Sequence, residues 1–315
     1  MEKTKNNDAQ AKKPILRDET SYTYNSIGNI LQDSPIRDME GVMKRSNWSG
    51  IPSEYQELDK ITNGWKRGEL TVIAGRPSIG KTSFLLSMVG NLCLINDIPT
   101  GFISLEMGMN QFLYRLFSIY SCVPLYKIIN NEVDEEDREL LHGAIMDISK
   151  SPLYVDCSPT LTISQVRDRA IDMLTKHGIK LLIIDYLQLL RCDNNGTCNQ
   201  YEEMSIITHR LKSLAKELNI PILVSSQLRR KPVSRDTYDY TISLSELRDS
   251  GTIDEDADIV CFIERPEVDR IYSDIKGNNL RNKAVVTVAK NRSGETGELI
   301  LHYFNDVGRF YCGLY

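Results

Sequence analysis

Apolar residues in this chain fall into runs of two lengths. The short ones read as strands: Leu70 to Ala74, Thr100 to Leu105, Leu153 to Asp156, Pro221 to Ser225, and Lys180 to Asp185 with Leu181, Leu182, Ile183 and Ile184 in succession. Unbroken apolar runs of that length fit strands covered on both faces. Between them lie stretches with helical spacing, Ser83 to Leu94, Asn110 to Cys122, Glu135 to Ser149 and Tyr201 to Leu218. Thr162-Ile-Ser-Gln165 has the side chains of a capping box and opens a helix to His177. The alternation predicts an α/β fold with a doubly wound, mostly parallel sheet. Beyond Asp258, the segments Ile259 to Ile263, Ala284 to Ala289 and Glu298 to Phe304 predict strands joined by short glycine-containing turns, an antiparallel C-terminal edge.

Upstream the pattern thins. Residues 1–20 are polar, lysine-rich and without periodicity, which predicts a disordered tail. Residues 21–48 hold two short helical pieces, Ser26 to Leu31 and Met39 to Met43, with too few apolar positions for a core of their own. That segment is expected to be linker-like and to pack on something else. Residues 49–315 form the expected main domain, entered through a helix near Tyr55 to Ile61 and turns at Asn63-Gly64 and Arg67-Gly68.

The 315 residues are 41% hydrophobic and 26% charged, ordinary for a globular protein. A net charge of -5 gives no global signal for a polyanion partner, so contact with nucleic acid must rest on a local basic surface. There is no apolar run of membrane-spanning length, and Met-Glu-Lys-Thr-Lys-Asn-Asn-Asp lacks a signal-peptide core, so a cytoplasmic protein without membrane contact is expected. Seven scattered cysteines, with no C-x-x-C pair, read as reduced thiols.

The chemistry concentrates at Gly75-Arg76-Pro77-Ser78-Ile79-Gly80-Lys81-Thr82, followed by Ser83 at the head of a helix. This is a complete phosphate-binding loop between a strand and a helix. Its glycines let backbone N–H groups close around a β-phosphate, Lys81 places a charge near the β and γ oxygens, and the Thr82 hydroxyl can ligate Mg²⁺. A nucleoside triphosphate, ATP with Mg²⁺, is therefore the expected ligand. Hydrolysis needs a carboxylate near the metal, a base for the attacking water and positive charge on the γ-phosphate. Asp185 ends the run Leu-Leu-Ile-Ile-Asp at the C-terminal edge of the expected sheet, where a metal-side carboxylate sits. Glu106 follows the strand through Leu105 and is either the base or a helix-entry acid. Gln227 is either a γ-phosphate reporter or a polar strand end. Lys290 and Arg292, at alternate positions and hence on one face, are taken from spacing alone as solvated charges near a turn.

The phosphate loop, Ser104-Leu-Glu-Met107, Ile184-Asp-Tyr-Leu-Gln188, Ser225-Ser-Gln-Leu228, Leu247-Arg-Asp-Ser-Gly251 with Asp256-Ala-Asp258, and Ala289-Lys-Asn-Arg-Ser-Gly294 resemble, in order and spacing, the motif series of the replicative DnaB-type helicases over residues from about 50 to 312. The resemblance implies a RecA-like P-loop NTPase motor that assembles as a homohexameric ring, hydrolyses ATP and moves 5' to 3' along single-stranded DNA. It makes Glu106 the base, Asp185 the metal-side carboxylate and Gln227 the relay toward DNA. It also makes Lys290 and Arg292 a finger completing the neighbouring subunit's ATP site.

For DNA contact the resemblance points to Arg248, Asp249 and Gly251, with Asp249 where the family usually has Glu. Arg229, Arg230, Lys231 and Arg235 add a basic cluster on the preceding loop. With few aromatics beyond Tyr238 and Tyr240, this loop favours sequence-independent backbone tracking. The family carries an N-terminal helical collar, which meets primase; this sequence is expected to have room only for a tail and a linker-like helix, residues 21–48 standing where the family's linker helix would be. Primase and a helicase loader remain the further partners the resemblance names. A RecA/RadA-like recombinase shares the core and is the alternative reading; the Arg-Pro-Ser loop and the Arg248-Asp-Ser-Gly251 block argue against it.

Overall fold

The computed structural model describes residues 49–193, 199–228, 242–248, 252–273 and 277–312, all within one unit, Trp48–Tyr315. The expected tail and linker-like segment lie outside the described residues. So do Arg229, Arg230, Lys231, Arg235, Tyr238, Tyr240, Asp249 and Gly251, and the side chain of Arg248.

After α1 (Gln56–Thr62) come β1 (Leu70–Gly75), α2 (Lys81–Gly90), β2 (Thr100–Ser104), α3 (Met109–Ser121), α4 (Leu125–Asn130), α5 (Glu135–Lys150), β3 (Leu153–Asp156), α6 (Ile163–His177), β4 (Leu181–Asp185), α7 (Gln200–Leu218) and β5 (Ile222–Gln227). Then follow α8 (Ser245–Arg248), α9 (Ile253–Asp256), β6 (Ile259–Glu264), β7 (Lys283–Asn291), β8 (Gly297–Phe304) and β9 (Arg309–Tyr311). One sheet holds all the described strands in the order β3-β2-β4-β5-β1-β6-β7-β8-β9. The strands from β3 to β6 in that order pair in parallel, and β7, β8 and β9 add antiparallel neighbours. This is the expected doubly wound sheet with an antiparallel edge.

Strand periodicity divides the core. Ile73, Leu181, Ile183, Leu223 and Cys261 pack on one face with Phe84, Phe102 and Phe112. Val72, Ala74, Leu182, Ile184 and Val224 pack on the other with Val166, Ile207 and Leu211. Both faces are covered, which is why the central strands read as unbroken apolar runs. Helix α2 has no polar stripe for a related reason: Phe84 stacks on Tyr55 at 5.0 Å, meets Phe310 edge-on at 5.7 Å, and lies among buried Leu85, Leu86, Met88 and Val89.

Among the described residues, side-chain caps set three helix starts. Thr162 and Gln165 form the expected capping box, and Asp134 with Asp137 and Asn199 with Glu202 form two more that the sequence reading did not single out. Several expectations need correction. Helix α2 ends at Gly90 and continues as a wider turn over Asn91–Ile95. The link between β6 and β7 is no short turn: it spans residues 265–282 and carries a helical turn at Pro266–Asp269. The small elements α4 and β9 were not expected, being too short for periodicity to register.

Candidate active site

Strand β1 delivers the phosphate loop at its C-terminal end. A side chain at Gly75 would meet the Ile263 carbonyl at 2.8 Å, so β1 and β6 close here only around glycine. Gly80 has φ 100° and leads directly into α2, a conformation glycine adopts without steric cost. Lys81, 9% exposed, donates from Nζ to the carbonyls of Gly75 (3.0 Å) and Arg76 (3.1 Å). An ammonium carries three protons, so one remains for a ligand. Burial lowers the Lys81 pKa, while Asp185 and Glu106 pull it back up.

Parallel register carries the acids to the same edge. Ser104 of β2 lies beside Asp185 of β4, and the Leu105 N–H donates to the Asp185 carbonyl at 2.7 Å. Asp185 is 1% exposed; its Oδ2 accepts from Thr82 Oγ1 at 2.6 Å, and its Oδ1 from Ser225 Oγ. Glu106 stands at the rim of the same cleft, its carboxyl raised above the usual range by burial and by the Asp185 charge, against the pull of Lys81 and Arg115. The cleft, about 430 Å³, is lined by Pro77, Ser78, Gly80, Lys81, Thr82 and Ser83, together with Glu106, Asp185 and Gln227. Arg76 instead turns toward Asp269 (3.5 Å), and the Ile79 side chain is buried in the core.

Arg115 and Tyr303 also line the cleft and were not picked out from the sequence, because their elements are brought there only by packing; Tyr186, quoted only within its motif, lines it beside Asp185. Gln188 was quoted only within its motif, yet it braces the end of β5: its Oε1 accepts from the Gln227 N–H at 3.1 Å and its Nε2 donates to the Gln227 carbonyl at 3.0 Å. Both ends of its amide thus fix the backbone at Gln227.

A divalent cation fits the donor set. Thr82 Oγ1 and Asp185 Oδ2 are hard oxygen ligands already converged on one point, and Mg²⁺ characteristically takes one or two protein oxygens plus phosphates and water. Among the described residues no cluster of three or more His, Cys, Asp or Glu suits a protein-only metal cage.

Lys290 and Arg292 are elsewhere. Asn291 pairs with Ile259, whose other neighbour is Thr71, so the two cations lie level with the beginning of β1, whereas the phosphate loop is at its end. At about 3.3 Å per residue, the run from Leu70 to Gly75 separates the two edges by roughly 17 Å. Lys290 Nζ donates to the Asp254 carbonyl, and Arg292 donates to the Glu255 carbonyl and to Asp258 Oδ1 (3.3 Å). Neither reaches the cleft of its own chain.

Residues 50–312 match the family model described as DnaB-like helicase C terminal domain. The replicative DNA helicase DnaB of Leifsonia xyli subsp. xyli is 35% identical over 267 residues, 85% of this chain and 57% of that protein. This chain therefore spans little more than half of that relative's length. Among solved structures, one described as an ATPase domain superposes with a TM-score of 0.81 at 30% identity, covering 91% of this chain and 99% of that one. A structure described as a DnaB-like replicative helicase and its interactions with primase gives 0.79 at 30% identity, covering 89% and 68%.

Proposed function

Since this chain belongs to the DnaB-like helicase C-terminal domain family, with a RecA-like P-loop ATPase fold, we propose that it is the ATP-driven motor of a replicative DNA helicase, moving 5' to 3' on single-stranded DNA as a homohexameric ring. The observation that carries this reading is the split of the ATP chemistry between opposite edges of the sheet. The cradle, Asp185 and Glu106 share one cleft, while Lys290 and Arg292 sit at the far edge. A cradle and acids whose finger residues lie beyond reach in the same chain are completed by a second copy.

In this reading the phosphate loop and Lys81 hold the β and γ phosphates, with Thr82 and Asp185 as the groups that would hold Mg²⁺. The ion, when bound, supplies positive charge at the phosphate oxygens. Glu106 orients the attacking water and takes its proton, and its raised pKa suits that task. Arg292 and Lys290 of the adjacent subunit meet the charge that develops on the γ-phosphate, where a planar guanidinium can bridge two oxygens. Gln227, at the end of β5 and two residues before the basic stretch that starts at Arg229, carries nucleotide state toward DNA. That stretch and the Arg248, Asp249 and Gly251 block are the DNA-contacting residues of the proposal. Primase or a loader is the further partner, by analogy with the primase-interacting relative, and the proposed place of action is the cytoplasm.

The test is the mass of the assembly with a non-hydrolysable ATP analogue, alone and with forked DNA, beside an unwinding trace. Hexamers that unwind forks are expected. A monomer that hydrolyses ATP at full speed would overturn the reading.

A further inference from the structure

Asp258 takes no part in the chemistry above, yet it is a heavily shared carboxylate at the far edge of the sheet. It stands just before β6 and its side chain is 9% exposed. Its Oδ2 accepts from the Leu70 N–H at 2.8 Å and from Lys212 Nζ at 2.5 Å. Its Oδ1 lies 3.3 Å from Arg292 Nη1, and its own carbonyl accepts the Arg292 N–H at 2.9 Å. The other arm of Arg292 donates to the Glu255 carbonyl at the end of α9. Arg292 is thus held at its backbone and at both guanidinium arms, while its side chain remains 47% exposed.

This arrangement acts on both entropy and charge. A guanidinium has five donors in a rigid plane, and with two of its nitrogens bonded within the chain its remaining donors are held without the entropy of a free side chain. One carboxylate facing one arginine would be a neutral pair, a poor match for phosphate. Lys212, only 12% exposed, pairs with Asp258 from the other side, so Asp258 does not by itself cancel the charge of Arg292.

Asp258 also reaches the opposite edge through the strand it caps. Leu70 opens β1 and Gly75 closes it, and the Gly75 carbonyl accepts from Lys81 Nζ at 3.0 Å. We propose that Asp258 is the positioning residue for Arg292: with Lys212 it sets the arginine at the angle needed by the neighbouring subunit's nucleotide and ties it to the strand bearing this subunit's own phosphate loop. The proposal rests on the reading that Arg292 acts in trans.

The experiment compares Asp258→Asn, Arg292→Ala and the double variant in steady-state ATP hydrolysis, with thermal melting as a control. Asp258→Asn keeps an acceptor oxygen for the Leu70 N–H but loses the charge that orients Arg292. Its kcat is expected to fall about tenfold or more, the scale of losing a group that orients a reacting one, with KM for ATP nearly unchanged. In the Arg292→Ala background the same change should cost nothing further. Mixing Asp258→Asn subunits with Lys81→Ala subunits, which lack hydrolysis but keep an intact finger, should restore activity above the sum of the separate proteins. A role confined to folding would not produce that complementation.

Further loss in the double variant, or wild-type kcat in Asp258→Asn while Arg292→Ala is crippled, overturns the proposal and leaves the trans reading standing. Full turnover in Arg292→Ala overturns both. If the amide variant fails to fold, Asp258→Glu moves the same charge by one methylene. The same split is then expected, kcat down and nucleotide affinity retained, and an unchanged kcat overturns the proposal.

Discussion

Thr82 Oγ1 donates to Asp185 Oδ2 at 2.6 Å across 103 residues of sequence, joining the first turn of α2 to the end of β4. Ser225 holds the other oxygen of the same buried carboxylate. Asp185→Asn preserves shape and removes charge, so folding should survive at a cost of about 1–3 kcal/mol for the disturbed hydrogen bonds. Hydrolysis should fall by about 10²-fold or more, the scale of losing one electrostatic contact to a transition state. Turnover measured beside thermal melting separates the two effects; near-normal turnover removes Asp185 from the metal side of the site.

Glu106→Gln should lower kcat by about 10²- to 10⁴-fold while leaving nucleotide affinity intact, as expected for a lost general base. Burial and the Asp185 charge raise the Glu106 pKa above 4.5 in the nucleotide-free protein, so the acid limb of the wild-type kcat/KM profile should lie above that pH and vanish in the variant. An acid limb that persists in Glu106→Gln assigns it to another group.

Lys81→Ala should abolish hydrolysis, because the ammonium is the buried cation of the phosphate loop. Arg292→Ala should bind nucleotide normally and lose about 10³-fold or more in turnover, the range of an arginine finger. Mixed in known ratios, the two variants should depart from additive activity, since each supplies the half-site that the other lacks. Simple additivity argues for hydrolysis within a single subunit.

Glu264, at the end of β6, is lifted by burial from 4.5 to about 7, with Arg76 holding it down in part and Glu246 and Glu298 adding to the rise. The folded state therefore prefers the protonated acid. Its contribution to stability is complete below pH 4.5 and is lost as pH rises through about 7. The neutral isostere Glu264→Gln should match wild type at the acid end and exceed it above pH 7, by about 3–4 kcal/mol at most given ~1.4 kcal/mol per pH unit between the two values. Melting curves across that window check the sign; a variant less stable than wild type at pH 8 contradicts it.

Single-stranded DNA affinity should fall linearly with the logarithm of salt concentration, with a slope near about -0.7 per phosphate neutralised. Arg230→Ala should flatten that slope by about one such step. An unchanged slope removes the basic stretch from the DNA path.

Much of the molecule is legible in the order of its residues. A strand buried on both faces must be apolar throughout, so β1, β2 and β4 announced themselves, and Thr162 with Gln165 marked the start of α6. The phosphate loop was equally plain, since few residue patterns let a backbone close around phosphate. Elements such as α4 and β9 escaped because a short helix or three strand residues leave no period to detect. The role of Gln188 escaped because its hydrogen bonds run to β5, far along the chain.

Local patterns dictated which segments become strand or helix and which side chains are chemically able to serve, because propensity, capping and phosphate binding act over a few neighbouring residues. Tertiary packing alone decided that Thr82, Asp185 and Glu106 share one cleft and that Lys290 and Arg292 lie outside it. Parallel register brings the ends of β1, β2, β4 and β5 to a single edge, whereas the reversal of β7 carries its last residues to the other. Strand direction is a relation between distant segments, and in the proposed ring it is what divides one ATP site between two subunits.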